Sequence, residues 1–475
     1  MSFRSASVTA VAVVLLAGCT TVGPDYALPN DAATRLPAAN GPFASATGNA
    51  VSSEPVIDSW WQLFDDPVLT RLVDEALLSN TDLRVAAANL ARAEAIDMEA
   101  AAAGQPRLLA SASVARTQFS GESYLLPAQL PVMNVGDVGA TVAYQVDLFG
   151  RLRRASEAAA DDREATAAAL DLARISVIAD VARAYVAACS AGYEQATARA
   201  TVETQERTLA VVIRLTDAGR GTDIDVTRAR TLLEQQRAAL PVYDARRRAA
   251  LYKLAVLAGR PPSEFPAVVE TCSELPRISR PIPVGDGAAL LRRRPDVRQA
   301  ERALASAIAR IGVATAALYP VISIGLGGGS TGLLSDLGEP ATNHWGFGTL
   351  ISWTMPDGRE RARIRQADAA AAAALAHFDA VVLNALREAE TSLSVYANDL
   401  ERNDALRTAR DDAARADMQA ERLYRAGRHP YLAALDARRA LDVTEDGLAA
   451  SDVQLASDRI NLFLALGGGW ESPAR

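Results

Sequence analysis

The chain has 475 residues, of which 49% are hydrophobic and 22% charged, with a formal net charge of -8, three Cys and three His. That composition excludes a disordered chain, a nucleic-acid binder relying on broad positive charge and, in practice, a multi-ligand metal centre. Lys253 is the only lysine, so there is no GxxxxGK phosphate loop; no cofactor, no bound nucleic acid and no enzymatic activity are expected.

Arg4 is the only charge before Asp25, and the apolar run Val8 to Ala17 follows it. This is the layout of a signal peptide, here 1–18, and it is too short to span a bilayer. Leu15-Leu16-Ala17-Gly18-Cys19 resembles a bacterial lipobox, whose Cys becomes the lipid-modified N-terminus. The alternative is an ordinary signal peptide with a chance Cys. Several acyl chains on Cys19 would form a stable anchor, at roughly 0.8 kcal/mol per buried methylene. Thr20, rather than Asp, follows Cys19; by the sorting rule this resemblance implies, that favours the outer membrane. Residues 19–59, rich in Pro, Gly, Asn and Ser, read as an extended tail.

From residue 60 the chain repeats itself. Asp82, Arg84, Leu90 and Pro106 recur as Asp296, Arg298, Leu304 and Pro320. Gly150-Arg151 recurs as Gly358-Arg359, Ala218-Gly219-Arg220 as Ala426-Gly427-Arg428, and Gly259 as Gly467. The offset changes only between Pro106 and Gly150, where a loop is expected. The two repeats are 60–265 and 288–470, joined by a linker, 266–287, and closed by a tail, 471–475. Each has a short helix, two strands, a very long helix, a tight turn and another helix.

In the first repeat the strands fall near 108–115 and 138–148, the long helix at 150–217, the turn at 218–222 and the last helix at 223–258. The second places strands near 321–329 and 345–354, the long helix at 358–425, the turn at 426–430 and the last helix at 431–466. Segments 151–217 and 359–425 lack Pro and are full of good helix formers; each would be roughly 100 Å long. Leu375, Phe378, Val382, Ala385, Ala389, Ser392 and Tyr396 step by three and four, as do Ile175, Ile178, Ala182, Tyr185 and Cys189. That periodicity fits a coiled-coil seam or a bundle core equally.

The strands decide the class. Val138 to Leu148 and Trp345 to Trp353 alternate with period two and carry aromatics near their ends. Each matches a tilted membrane strand in length; the alternative is a soluble hairpin packed on helices. Four strands cannot close a membrane barrel, and open edges are not tolerated in lipid. Three chains together would supply twelve. The expected fold is therefore mainly α with a small β part: a homotrimer with a twelve-stranded transmembrane β-barrel on a long helical tube. Loops 116–137 and 330–344 would lie outside the cell, and the Gly219 and Gly427 turns at the far tip.

Specific motifs reinforce this. They are Cys19-Thr20-Thr21-Val22-Gly23-Pro24-Asp25-Tyr26; Trp60-Trp61 with Phe64 and Asp66-Pro67; Arg293-Arg294-Pro295-Asp296-Val297 with Ala300-Glu301, Ile311-Gly312 and Tyr319-Pro320; Tyr424-Arg425-Ala426-Gly427; and Leu466-Gly467-Gly468-Gly469-Trp470. Together they resemble the TolC-like outer membrane factors, in particular the OprM/NodT lipoprotein branch. The resemblance implies the exit duct of a tripartite efflux pump for drugs or other small molecules, held in outer-membrane lipid. Its partners would be a periplasmic adaptor and an inner-membrane RND-type transporter. Other duties considered are a type I-like secretion duct and a pore-less periplasmic scaffold lipoprotein.

The resemblance also implies a closed periplasmic aperture. Asp225 would be an acidic partner, Tyr424 the linking tyrosine and Asp436 a ring carboxylate, with a solvated helix face as the alternative for Asp436. Two positions depart: Ala433 stands where a second ring acid would fall, and His429 where the linking Arg would, with Arg428 one position early. The adaptor-docking tips would be Ala218, Gly219, Arg220, Ala426, Gly427 and Arg428. The second hairpin, at Trp353-Thr354-Met355-Pro356-Asp357-Gly358, lacks the longer aromatic junction of the first, Asp147-Leu148-Phe149-Gly150, and only a local change at that corner is expected.

Other signals carry little. Gly327, Gly329 and Gly332 spell GxGxxG but lead into a polar loop rather than a helix. His344, His377 and His429 form no ligand pattern. Cys189 and Cys272 either pair in an oxidising periplasm or leave Cys189 free and buried on its seam.

Overall fold

A computed structural model describes residues 21–46, 48–278, 280–355 and 357–468. The signal peptide, Cys19, Gly469-Trp470 and the tail 471–475 lie outside the described residues. The main elements are α1 (Pro67–Ser79), α2 (Thr81–Ala102), β1 (Arg107–Thr117), β2 (Met133–Val146), α3 (Arg151–Asp217) and α4 (Asp223–Leu257) in the first repeat. The second has α5 (Gly287–Arg293), α6 (Pro295–Ala316), β3 (Val321–Leu333), β4 (Asn343–Ser352), α7 (Gly358–Arg425) and α8 (Tyr431–Ala465).

The duplication is legible in the fold. Helices α2 and α6 share both ends at the first offset, and α4 and α8 do so at the second. The change of offset sits in the hairpins: connection 118–132 is six residues longer than 334–342. The strands are longer than the sequence indicates, β2 starting at Met133 and β3 ending at Leu333. Glycine or small residues there (Gly136, Gly332) hide the alternation. Each repeat also has two helices before its strands rather than one.

Helix ends follow from local chemistry. Gly219 and Gly427 take φ of 69° and 68°, closing α3 and α7 in left-handed turns. Arg220 N donates to Leu215 O at 2.8 Å, and Arg428 N to Leu423 O at 2.9 Å. Open space surrounds both glycines, so the dihedral angle, not crowding, requires Gly. At the other ends Asp66 caps α1 and Asn80 caps α2, each accepting from two backbone N–H groups.

The chain divides into two compact units, and α2, α3, α6 and α7 contribute to both. The first contains the residues before Asn30, with Leu90–Thr166 and Ala300–Phe378. In it β1, β2, β3 and β4 form an antiparallel sheet in that order, with β2 joining the repeats through β3. The N-terminal segment is tied to helices. Tyr26 donates to Glu301 at 3.0 Å, and Arg154 pairs with Asp25 at 2.5 Å and Glu157 at 2.8 Å. A Cβ on Gly23 would meet Gly312 Cα at 2.4 Å, which explains why glycine stands in both motifs.

The second unit comprises Asn30–Asn89, Ala167–Gln299 and the residues from Asp379. It holds the main core, in which Trp60 stacks on Phe463 with centroids 5.0 Å apart. Ile175, Ile178, Ala182, Tyr185 and Cys189 are all buried, as are Val382, Ala385, Ala389 and Tyr396. Described residues of the expected tail, 19–59, and linker, 266–287, pack onto this core. Ala33, Ala39, Phe43 and Val56 are buried, as are Val269, Ile282 and Val284. Val51 pairs with Ile282 in a short parallel ladder joining the two segments. Isolated apolar residues without periodicity anchor them, so Pro and Gly dominate the sequence signal. Cys189 and Cys272 form a disulfide across 83 residues, with Cα atoms 4.8 Å apart.

Candidate functional site

Two regions hold the functional candidates, one in each unit. The first is the sheet, whose register sorts side chains onto two faces. On one face the rows run Leu108–Val142–Leu326–Phe347 and Ala110–Ala140–Gly328–Trp345, with Tyr144, Ile324 and Ile351 beyond. On the other they run Ser111–Gly139–Gly329–His344 and Leu109–Thr141–Gly327–Gly346, with Asp137 opposite Thr331. Thr331 Oγ1 donates to Asp137 at 2.6 Å.

The first face is apolar and open to its surroundings: Leu108 is 73%, Phe347 68% and Trp345 81% exposed. Among the described residues of the unit no layer covers it, and β1 and β4 leave two unpaired edges. Water penalises such an apolar face and lipid penalises such edges. A closed multi-chain barrel in a membrane, apolar outside and polar inside, satisfies both. GxGxxG lies within this wall: Gly327 and Gly329 are on β3 facing the polar side, and only a three-residue 3-10 turn, Leu334–Asp336, follows the strand.

The second region is the helix tip. Asp225 forms a capping box with Thr222: Thr222 N and Oγ1 donate to its carboxylate at 3.1 and 2.7 Å, and Asp225 N donates back to Thr222 Oγ1 at 3.3 Å. These bonds hold the Asp225 carboxyl below its ordinary range. Tyr424 at the end of α7 packs edge-on against Tyr431 at the start of α8, centroids 5.0 Å apart. A cavity of about 310 Å³ lies beside them, lined by Thr204, Thr208, Glu421 and Arg438 among others. Burial pushes the Tyr431 hydroxyl up to about 12; Tyr424, Glu421 and Asp225 add to this and a hydrogen bond with Thr208 opposes it.

The structure thus brings Tyr424 onto Tyr431, which the sequence reading missed, while Asp225 bonds to Thr222 and acts on Tyr431 through charge. It does not gather the rest. Arg428, His429 and Asp436 are exposed, with no ion pair among the described residues. Ala218, Gly219, Arg220, Ala426 and Gly427 are exposed in the turns. Below them Arg438 reaches Asp417 at 3.3 Å and buried Asp442 at 3.2 Å, and Gln205 donates to Asp442 at 2.7 Å. Thr222-x-x-Asp225 is a legible capping-box spacing; Tyr431 carries no comparable signal, since its ring partner is fixed by the turn.

Comparison with known proteins settles the class. The family model described as "Outer membrane efflux protein" matches residues 72–260 and 288–468, one match per repeat. The chain belongs to the outer membrane efflux protein family. The solvent efflux pump outer membrane protein SrpC of Pseudomonas putida is 30% identical over 474 residues, 99% of each chain. Nodulation protein T of Rhizobium leguminosarum bv. trifolii is 29% identical over 464 residues, 97% of each. The solved outer-membrane channel OprN superposes with a TM-score of 0.88 at 35% identity, covering 95% of this chain and all of that one. This efflux protein is therefore an outer-membrane channel, the exit component of a tripartite pump. Its fold is that of the solved outer-membrane channels, mostly helical with a four-stranded sheet in each chain.

Proposed function

We propose that three copies of this chain, anchored through lipid on Cys19, form a passive duct for small organic molecules. It would receive them from an inner-membrane RND-type transporter through a periplasmic adaptor. The open four-stranded sheet with one apolar and one polar face carries this reading, because such a sheet is complete only as part of a larger barrel. A type I-like duct for polypeptides and a pore-less scaffold are less favoured: relatives at 30% identity are named for solvent and toluene efflux. No catalytic step is assigned to any residue.

The tip residues then take roles. Asp225 caps the α3–α4 turn, Tyr424 packs on Tyr431 across the α7–α8 turn, and the Tyr431–Thr208 hydrogen bond ties α8 to α3, which together would keep the aperture narrow. Asp436, exposed on α8, would face its two copies around the threefold axis. Arg428 and His429, exposed and with no ion pair among the described residues, would contact a neighbouring chain or the adaptor. Exposed Ile224, Leu423 and Leu432 give the Gly219 and Gly427 turns apolar surface for that adaptor.

Surface labelling tests the topology. Cys19 is expected to be acylated and Cys189 and Cys272 are bonded, so a cysteine at Ser335 would be the one free thiol. An impermeant maleimide should label Ser335→Cys on intact cells. Labelling only after the outer membrane is broken would contradict an external loop 334–342.

A further inference from the structure

The register places Arg107, Val146, Val321 and Ser352 at one end of the sheet, where α3 and α7 depart. Arginines crowd this end: Arg107, then Arg151, Arg153 and Arg154, then Arg359, Arg361, Arg363 and Arg365. Between Gln118 and Phe149, and between Val321 and Asp357, there is no Lys or Arg. A chain of net charge -8 thus collects cations at the periplasmic rim of its membrane segment.

Arg153 donates to Thr21 and Arg154 pairs with Asp25 and Glu157. Arg151, Arg359, Arg361, Arg363 and Arg365 are exposed and have no ion pair among the described residues. Four arginines in the first turns of α7 oppose the positive end of its macrodipole. An external anion would offset that cost.

A cavity of about 360 Å³ opens at this rim, lined by Arg151, Arg363, Tyr319 and Thr354 and floored by Val313 and Ala317. Glu360 is its one acid, and it accepts from Asp357 N at 3.2 Å. Aromatics flank it: Phe149 stacks on Tyr319 at 4.5 Å, and exposed Trp353 donates to Leu318 O at 3.1 Å. Basic pockets beside an aromatic belt at the membrane edge match an anionic headgroup continuing into an acyl chain.

We propose that Arg151 and Arg363 bind the phosphate of an anionic phospholipid from the inner leaflet, its acyl chain lying on the apolar sheet face. The site rests on the outer-membrane reading. Native mass spectrometry of the purified trimer, with phosphatidylglycerol or phosphatidylcholine supplied, tests it. Wild type and Arg116→Gln, altered near the other end of β1, should retain phosphatidylglycerol preferentially. Arg151→Gln with Arg363→Gln should weaken that retention roughly 10- to 30-fold, while Lys at both positions should keep most of it.

Equal retention of the two lipids, or an unchanged double variant, would overturn the site. Displacement of the lipid by millimolar inorganic phosphate would leave only an anion site and overturn the lipid assignment. A double variant that loses the trimer while Lys at both positions restores it without lipid preference would assign these arginines to the subunit interface instead. A wild-type spectrum without trimers would count against the outer-membrane reading itself.

Discussion

Two residue-scale contacts make separable predictions. Tyr424 meets Tyr431 edge-on at 5.0 Å, a geometry worth about 1 kcal/mol beyond burial. Tyr424→Ala, or Asp225→Ala, which removes the capping box, should raise the open-state conductance population roughly fivefold. Planar-bilayer recordings with no change in either variant would remove both residues from the gate. The second contact is acid on acid. Asp458 is buried on α8, and burial, with Asp399 hydrogen-bonded to it, pushes its carboxyl up to about 6; Gln454 and Arg459 oppose the shift. A raised carboxyl stabilises the fold below the unfolded value and loses that contribution as pH climbs toward 6. Asp458→Asn should therefore raise the thermal midpoint at pH 7.5, by on the order of 2 kcal/mol in stability, and match wild type near pH 3.5. An equal gain at both values would place the effect elsewhere.

At the element scale, repetition made most of the molecule legible before coordinates. Long helices without Pro tolerate no insertion, so their offset stays constant and their ends coincide. The elements missed were those without period. Ahead of the first repeat and between the two, single apolar side chains such as Phe43, Val56, Val269 and Ile282 hold the chain on the core, and no pattern marks them. Strand ends were missed for a related reason: Gly136 and Gly332 interrupt the alternation. Sequence left the Cys189–Cys272 pairing open, and the fold closes it, bringing 266–287 against α3. A cross-link spanning 83 residues is worth about 2–4 kcal/mol, largely through the unfolded chain. Cys189→Ala with Cys272→Ala should lower the thermal midpoint accordingly; an unchanged midpoint would mean the segment is held without the bond.

At the scale of the whole molecule, the tip was the least legible part. Family resemblance pointed to Asp225, Tyr424 and Asp436; within one chain Asp225 caps its own turn and Tyr424 packs on Tyr431. Asp436, Arg428 and His429 have no ion pair among the described residues, as expected if the proposed aperture is built between chains. The sheet shows the same incompleteness more plainly, with two free edges and an uncovered apolar face. The central claim is that three such sheets close into a conducting barrel. Single-channel recording from the purified, cross-linked trimer in a planar bilayer tests it most directly. Unit conductance steps from the trimer species, none from the monomer, and larger or more frequent openings in Tyr424→Ala are expected. A stable trimer that never conducts, in wild type or in Tyr424→Ala, would contradict it.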